Sequence, residues 1–222
     1  MTQCPHRKLS RACFRPTVST VALDTRYAMA SSNILTSQLT FVCLQNNEHS
    51  TRPQQVPSWQ AWFKARYERL RFNGLRGNWA AGSQLNDLLA QLLIKNSDGS
   101  YSTTGDYQGW KYYAQMAGAP CTSVSGNSID AFATSQSNNV NVLVGSQGYT
   151  GTMNVNLASV NSAFGSLTTL KYSLIKIPYN NGGVVTGWQT NRTSTVGVSN
   201  NQATISWVAD NANDGWAVQV HN

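Results

Sequence analysis

Residues 127–220 carry the pattern that most constrains this chain. Short alternating segments are separated by Asn, Gly and Ser clusters. Lys and Arg shrink to Lys171, Lys176 and Arg192, and Cys is absent. Alternation with period two buries one face of a strand and wets the other. The spacing predicts strands near 129–134, 140–146, 151–157, 168–177, 184–186, 195–199, 203–208 and 216–220. Gln147-Gly148 and Asn180-Asn181-Gly182-Gly183 mark turns, and Asn200-Asn201 suits a tight hairpin. No helical pattern of useful length interrupts the series, which disfavours a parallel α/β arrangement. The expected fold is mainly β: an antiparallel sandwich of about eight strands, preceded by about three helices.

The helices come from 53–118. Ser58 can cap a first helix with apolar residues at Trp59, Trp62, Phe63, Tyr67 and Leu70. Its other face carries Lys64, Arg66, Arg69 and Arg71. Ser83 can cap a second, with Leu85, Leu88, Leu89, Leu92 and Leu93 at helical spacing, stopped by Asn96-Ser97-Asp98-Gly99. A third is expected over 106–117, with Tyr107, Trp110, Ala114 and Ala117 inward and Gly118 at C′. Residues 1–52 sustain neither period, and Pro5 and Pro16 break them. The expected division is therefore 1–52 as a disordered or non-native tail, 53–118 as a helical region and 119–222 as the sandwich.

Charge splits along the same line. The net charge is +7, yet residues 1–79 hold eleven Lys/Arg against three Asp/Glu, while residues 80–222 hold five against six. A basic front suits nucleic acid or an anionic membrane, or is a solvated tail. Aromatic interleaving before Trp59 is sparse, which favours the tail, so no nucleic-acid partner is expected. No segment reaches the roughly 20 apolar residues of a membrane helix, and Met1 to Pro16 is too charged for a usual secretion signal. Four cysteines suit two disulfides by number, but their spacing fits no zinc pattern, and Cys121 reads as a buried or free thiol.

Catalytic equipment is sparse. Glycoside hydrolysis takes two carboxylates, but Glu occurs only at Glu48 and Glu68, and Asp87, Asp98, Asp106, Asp210 and Asp214 suit caps and turns. His6, His49 and His221 offer no Ser-His-Asp arrangement. The run Asp210-Asn211-Ala212-Asn213-Asp214-Gly215 lacks the closing Glu of a calcium loop and reads as an Asx-rich turn. The expectation is no catalytic residue, no metal and no cofactor. Tyr179 and Trp188 are candidates for stacking on sugar rings, whereas Trp207 and Trp216 alternate with apolar residues as core does. Asn191-Arg192-Thr193 is an N-glycosylation sequon.

The run Gly105-Asp106-Tyr107-Gln108-Gly109-Trp110-Lys111-Tyr112-Tyr113-Ala114-Gln115-Met116-Ala117-Gly118 resembles the last barrel helix of secreted fungal glycoside hydrolases grouped with family 39. In that family such a helix leads into a β-sandwich. Its segments are matched here by Gly148-Tyr149-Thr150-Gly151-Thr152, Lys176-Ile177-Pro178-Tyr179-Asn180-Asn181-Gly182-Gly183 and Asp210-Asn211-Ala212-Asn213-Asp214-Gly215-Trp216. The resemblance spans roughly residues 57–222. It implies that the helices are left over from a (β/α)8 barrel and that the parent family is extracellular. The family's catalytic carboxylates lie on earlier barrel strands without counterpart here, so none carries over. The implied function is a non-catalytic C-terminal fragment of a polysaccharide-acting hydrolase. Its sandwich braces the barrel and touches glycan, and the fragment self-associates when made without that barrel. A stand-alone carbohydrate-binding or cell-wall module and a nucleic-acid binder using the basic front are the alternatives.

Overall fold

The computed structural model describes residues 56–71, 92–124, 126 and 128–222. The expected tail over 1–52 and most of the second helix lie outside them. The elements are α1 (Pro57–Leu70), β1 (Leu93–Lys95), β2 (Tyr101–Thr103), α2 (Gly105–Gln115), β3 (Ala119–Pro120), β4 (Ile129–Gln136) and β5 (Asn139–Ser146). They continue with β6 (Gly151–Ala158), α3 (Val160–Phe164), β7 (Thr169–Ile177), β8 (Gln189–Gly197), β9 (Gln202–Ala209) and β10 (Gly215–His221). Among the described residues the chain is mainly β, and every strand pair is antiparallel.

Three layers stack. A six-stranded sheet of order β3-β4-β5-β10-β7-β8 lies in the middle, and the ribbon β6-β9 covers one face. Between them sit Val140, Val142 and Val144 of β5, Val155 and Leu157 of β6, Leu170, Tyr172 and Leu174 of β7, Ile205 and Trp207 of β9, and Trp216, Val218 and Val220 of β10. The period-two pattern puts these alternate residues inside. Trp207 and Trp216 are core as expected, with ring centroids 5.9 Å apart. The opposite face of the large sheet carries Leu143, Ile175, Ile177 and Ala217, packed on Ala61 of α1 and Tyr112 of α2. The central strands are thus buried on both faces, which is why β10 reads as a nearly unbroken apolar run.

Turn chemistry fixes the register. Asn200 and Asn201 adopt φ of 51° and 62° between β8 and β9, and Ser137 and Asn138 adopt 38° and 61° between β4 and β5. Two consecutive left-handed residues suit a tight hairpin, and Asn tolerates that region best after Gly.

Local readings change where tertiary contacts outweigh apolar counting. Leu93, expected at the end of the Leu stripe, lies in β1, and the turn at Asn96–Gly99 joins β1 to β2 rather than stopping a helix. Helix α1 begins with Val56 as N-cap and Pro57 at N1. The Ser58 hydroxyl donates instead to the Ser146 carbonyl on β5, at 2.8 Å.

In α2 the buried side is Gly105, Gln108, Gly109 and Tyr112, whereas Ala114 and Ala117 are exposed. Two glycines and polar side chains, with Tyr112, face the neighbours in place of the alanines. A Cβ at Gly105 would overlap the Pro178 carbonyl, and one at Gly109 would crowd the Gln60 side chain. The expected strand over 184–186 is instead a loop segment. Val185 donates its N–H to the Thr103 carbonyl at 2.8 Å and accepts from Thr103 Oγ1 at 2.6 Å. Strand β8 begins at Gln189, earlier than expected, because Gln189 to Thr195 are all exposed and show no alternation.

Candidate functional site

Sequence reasoning pointed to Tyr179 and Trp188, which bracket the loop from β7 to β8. Ile177 is fully buried beneath it, and Pro178 holds the exit extended. Asp214 of the β9–β10 turn is buried and accepts the Tyr179 N–H at 2.7 Å, so the loop's base is tied to the neighbouring turn. Asn181 at φ 45° and Gly182 at φ 78° make the bend. Asn180 Nδ2 closes it on the Val184 carbonyl at 3.1 Å. Tyr179 is half-buried, with its hydroxyl 3.5 Å from Asn181 Oδ1.

Trp188 sits at the other end under different control. It is half-buried against α2, edge-on to Tyr112 with centroids 5.4 Å apart, and the Lys111 ammonium lies 5.5 Å from its ring centre. One part of this indole is therefore spent on packing the helix to the sheet. Lys111 and Tyr112 were missed as neighbours because nothing in the sequence joins residue 188 to the preceding helix.

The described carboxylates are held by partners. The Lys176 ammonium lies between Asp214, at 2.7 Å, and Asp210, at 3.3 Å. Burial alone would lower the Lys176 pKa, but the bonds from Asp214 and then Asp210 outweigh it and raise it. The bond from Lys176 likewise holds Asp210 below the ordinary carboxylate value. A general acid needs the opposite shift, so this pair is built as an ionic tie.

Asp98 binds the Ser100 backbone and hydroxyl in the β1–β2 turn, at 2.9 and 2.6 Å. Asp106 accepts from Gln60, and Glu68 accepts from the Tyr113 hydroxyl. Asp130 on β4 is buried and takes both guanidinium arms of Arg69 at 2.5 Å, with Arg66 at 3.5 Å.

Of the basic face of α1, which on sequence alone offered a surface for nucleic acid, Lys64, Arg66 and Arg69 turn toward the protein and Arg71 stays exposed. Lys64 is buried, donates to Gln60 Oε1 at 2.5 Å and lies 4.1 Å from the Trp110 ring centre. Arg66 stacks 4.1 Å over Trp62. The aromatic Trp59, Phe63 and Tyr67 are half-buried, as Arg66 and Arg69 are. Long basic side chains bury their stems readily, and the buried Asp130 draws the two arginines to the sheet. Among the described residues no cluster of His, Cys, Asp or Glu is arranged to hold a metal ion, and Cys121 is partly buried.

No protein-family model and no curated protein matches the chain. Solved structures do. The protein N2152 from Neocallimastix frontalis aligns over 76% of this chain and 41% of its own, at 21% identity and a TM-score of 0.61. A glucosidase from Croceicoccus marinus aligns over 78% of this chain and 43% of its own, at 9% identity and a TM-score of 0.50. A glycoside hydrolase family 30 subfamily 8 xylanase from Clostridium acetobutylicum covers 78% and 40% at 12% identity, with a TM-score of 0.47. The chain thus spans about two fifths of the length of these structures. The likeness to the first two is one of fold, and one of these two is a glucosidase.

Proposed function

We propose that this chain is the C-terminal, sandwich-bearing part of a secreted glycoside hydrolase of the family 39 kind, non-catalytic in itself. The single observation that carries the reading is the layered α1/α2–sheet–ribbon fold, whose likeness extends to a glucosidase over 43% of that protein's length. The helices α1 and α2 form the layer between barrel and sandwich. The half-buried Trp59, Phe63 and Tyr67 follow one another along α1 with ring centroids 6.2 and 6.3 Å apart. They are the surface through which a chain lacking its barrel would self-associate. The tie of Lys176 to Asp210 and Asp214 supports the non-catalytic part, since it holds the Asp210 carboxyl below its ordinary value, the opposite of what a general acid needs.

Tyr179 and Trp188 are the glycan contacts in this reading, on the loop from β7 to β8, with Asn180 and Asn181 as hydrogen-bonding neighbours. The test is binding to insoluble xylan, β-glucan and chitin, beside reducing-sugar release from the same substrates. The reading expects no release, and weak binding that Tyr179→Ala and Trp188→Ala lower. Sugar release lost on mutating one Asp or Glu would overturn it.

A further inference from the structure

We propose that Asn191 carries an N-linked oligosaccharide that guards the open edge of the large sheet. The proposal rests on the extracellular part of the reading above, and it does not depend on glycan binding or on any hydrolase activity.

The two edges of the six-stranded sheet are protected unequally. At one end β3 is two residues long and contains Pro120, which has no N–H to offer a further strand. At the other end β8 runs nine residues, and Gln189 to Thr195 are all exposed. It contains no Pro, and Arg192 is its one charged residue. Arg192 is already engaged: its guanidinium donates to the Ser206 carbonyl on β9 at 2.8 Å and lies 5.5 Å from the Tyr172 ring centre. A long Thr-rich edge without its own guard is a template for pairing with another chain.

Asn191 sits where a guard would act. The ladder with β7 pairs Leu174 with Arg192 and Ile175 with Thr190, so Asn191 is the extra residue of a bulge and has no partner across the ladder. It is exposed, so a bulky substituent meets solvent and no packing must yield. Thr193, the sequon hydroxyl, is also exposed and lies 3.3 Å from Ser173 Oγ. In the transfer, Asn191 Nδ2 forms a bond to the anomeric carbon of an oligosaccharide. The bond from that carbon to the diphosphate of a lipid-linked donor breaks, and the amide proton leaves to a base of the transferase. The product keeps the backbone of β8 intact, and the sugar occupies the space a second edge would need.

The experiment expresses the full chain behind a cleavable leader in a eukaryotic secretory host. Intact mass is read before and after an amide-cleaving glycosidase, and oligomeric state is read by light scattering at several concentrations. The expected result is a mass gain of one core oligosaccharide that the glycosidase removes. Both Asn191→Gln and Thr193→Ala should abolish it. The two unglycosylated variants and the deglycosylated protein should associate more with rising concentration than the glycosylated protein does. A secreted chain without sugar at Asn191 overturns the proposal. So does a glycosylated chain whose association is unchanged when the sugar is removed. Loss of sugar with only one of the two variants also contradicts it, because the sequon requires both residues.

Discussion

The large sheet has two faces that are buried by different means. Its ribbon side is an apolar core of Val, Leu, Ile and two Trp. Its helix side is a close-approach seat: a Cβ at Gly145 would overlap the Trp62 backbone nitrogen and the Ser58 carbonyl, and Gly215 lies against Pro57. Around that seat run polar ties, from Ser58 to Ser146 and from Arg66 and Arg69 to Asp130. Apolar burial carries stability in proportion to area. Ion pairs whose charges have left water return little net stability and instead penalise the wrong partner. The comparison teaches that the ribbon side supplies the energy and the helix side supplies the position of α1.

The largest expected effect is on the ribbon side. Trp216 is 2% exposed at the centre of the core. Trp216→Ala should cost about 3–5 kcal/mol, measured as a shift in the denaturant midpoint. A loss below about 1 kcal/mol would remove the asymmetry, since core truncations are rarely so mild.

Next comes the seat. Gly145→Ala should cost about 1–3 kcal/mol by overpacking. The loss should be local: amide protection should fall in α1 and survive in β6 and β9. Equal loss everywhere would mean that the two faces are one cooperative packing problem.

The ionic clasp should matter less. Asp130 has no exposed side-chain area, but Arg66 and Arg69 each keep 25%, so they regain water when their partner is lost. Asp130→Asn should therefore cost about 1 kcal/mol or less. A loss of 3 kcal/mol, about the level for a fully buried pair broken on one side, would show that the clasp holds α1 by energy.

The smallest effect is its pH dependence. Burial pushes the Asp130 carboxyl above the ordinary carboxylate value, against the downward pull of Arg69 and then Arg66. A raised folded pKa favours the protonated form in the native state. Its contribution is full below the unfolded value and is lost as pH rises through the folded one. Thermal melts across that acidic window should show wild type gaining on Asp130→Asn as pH falls. The opposite trend would mean that the arginines outweigh burial.

The ribbon side was legible in the sequence because period-two alternation is a direct imprint of one-sided burial. The strand positions 140–146 and 151–157 and the core placement of Trp207 and Trp216 follow from it, and the Asn200-Asn201 hairpin follows from turn chemistry. The helix side was not. Gly105, Gly109 and Gly145 matter by what they lack, and buried Lys64 looks like a solvent residue until Trp110 and Gln60 stand around it. Strand β8 was clipped because a wet edge has no alternation to read. For the site, Tyr179 and Trp188 were named from composition beside a Gly-rich turn. The pairing of Trp188 with Tyr112 and the tie from Asp214 to the Tyr179 backbone are long-range and left no local signal.

Hydrogen exchange on the full chain, read by mass spectrometry, tests most directly whether α1 is a layer of this fold. The account predicts that amides of residues 60–69 exchange slowly, alongside those of β5 and β10. Fast exchange through α1 with β5 and β10 still protected would contradict it, because the helix would then be a bystander on a sandwich that stands without it.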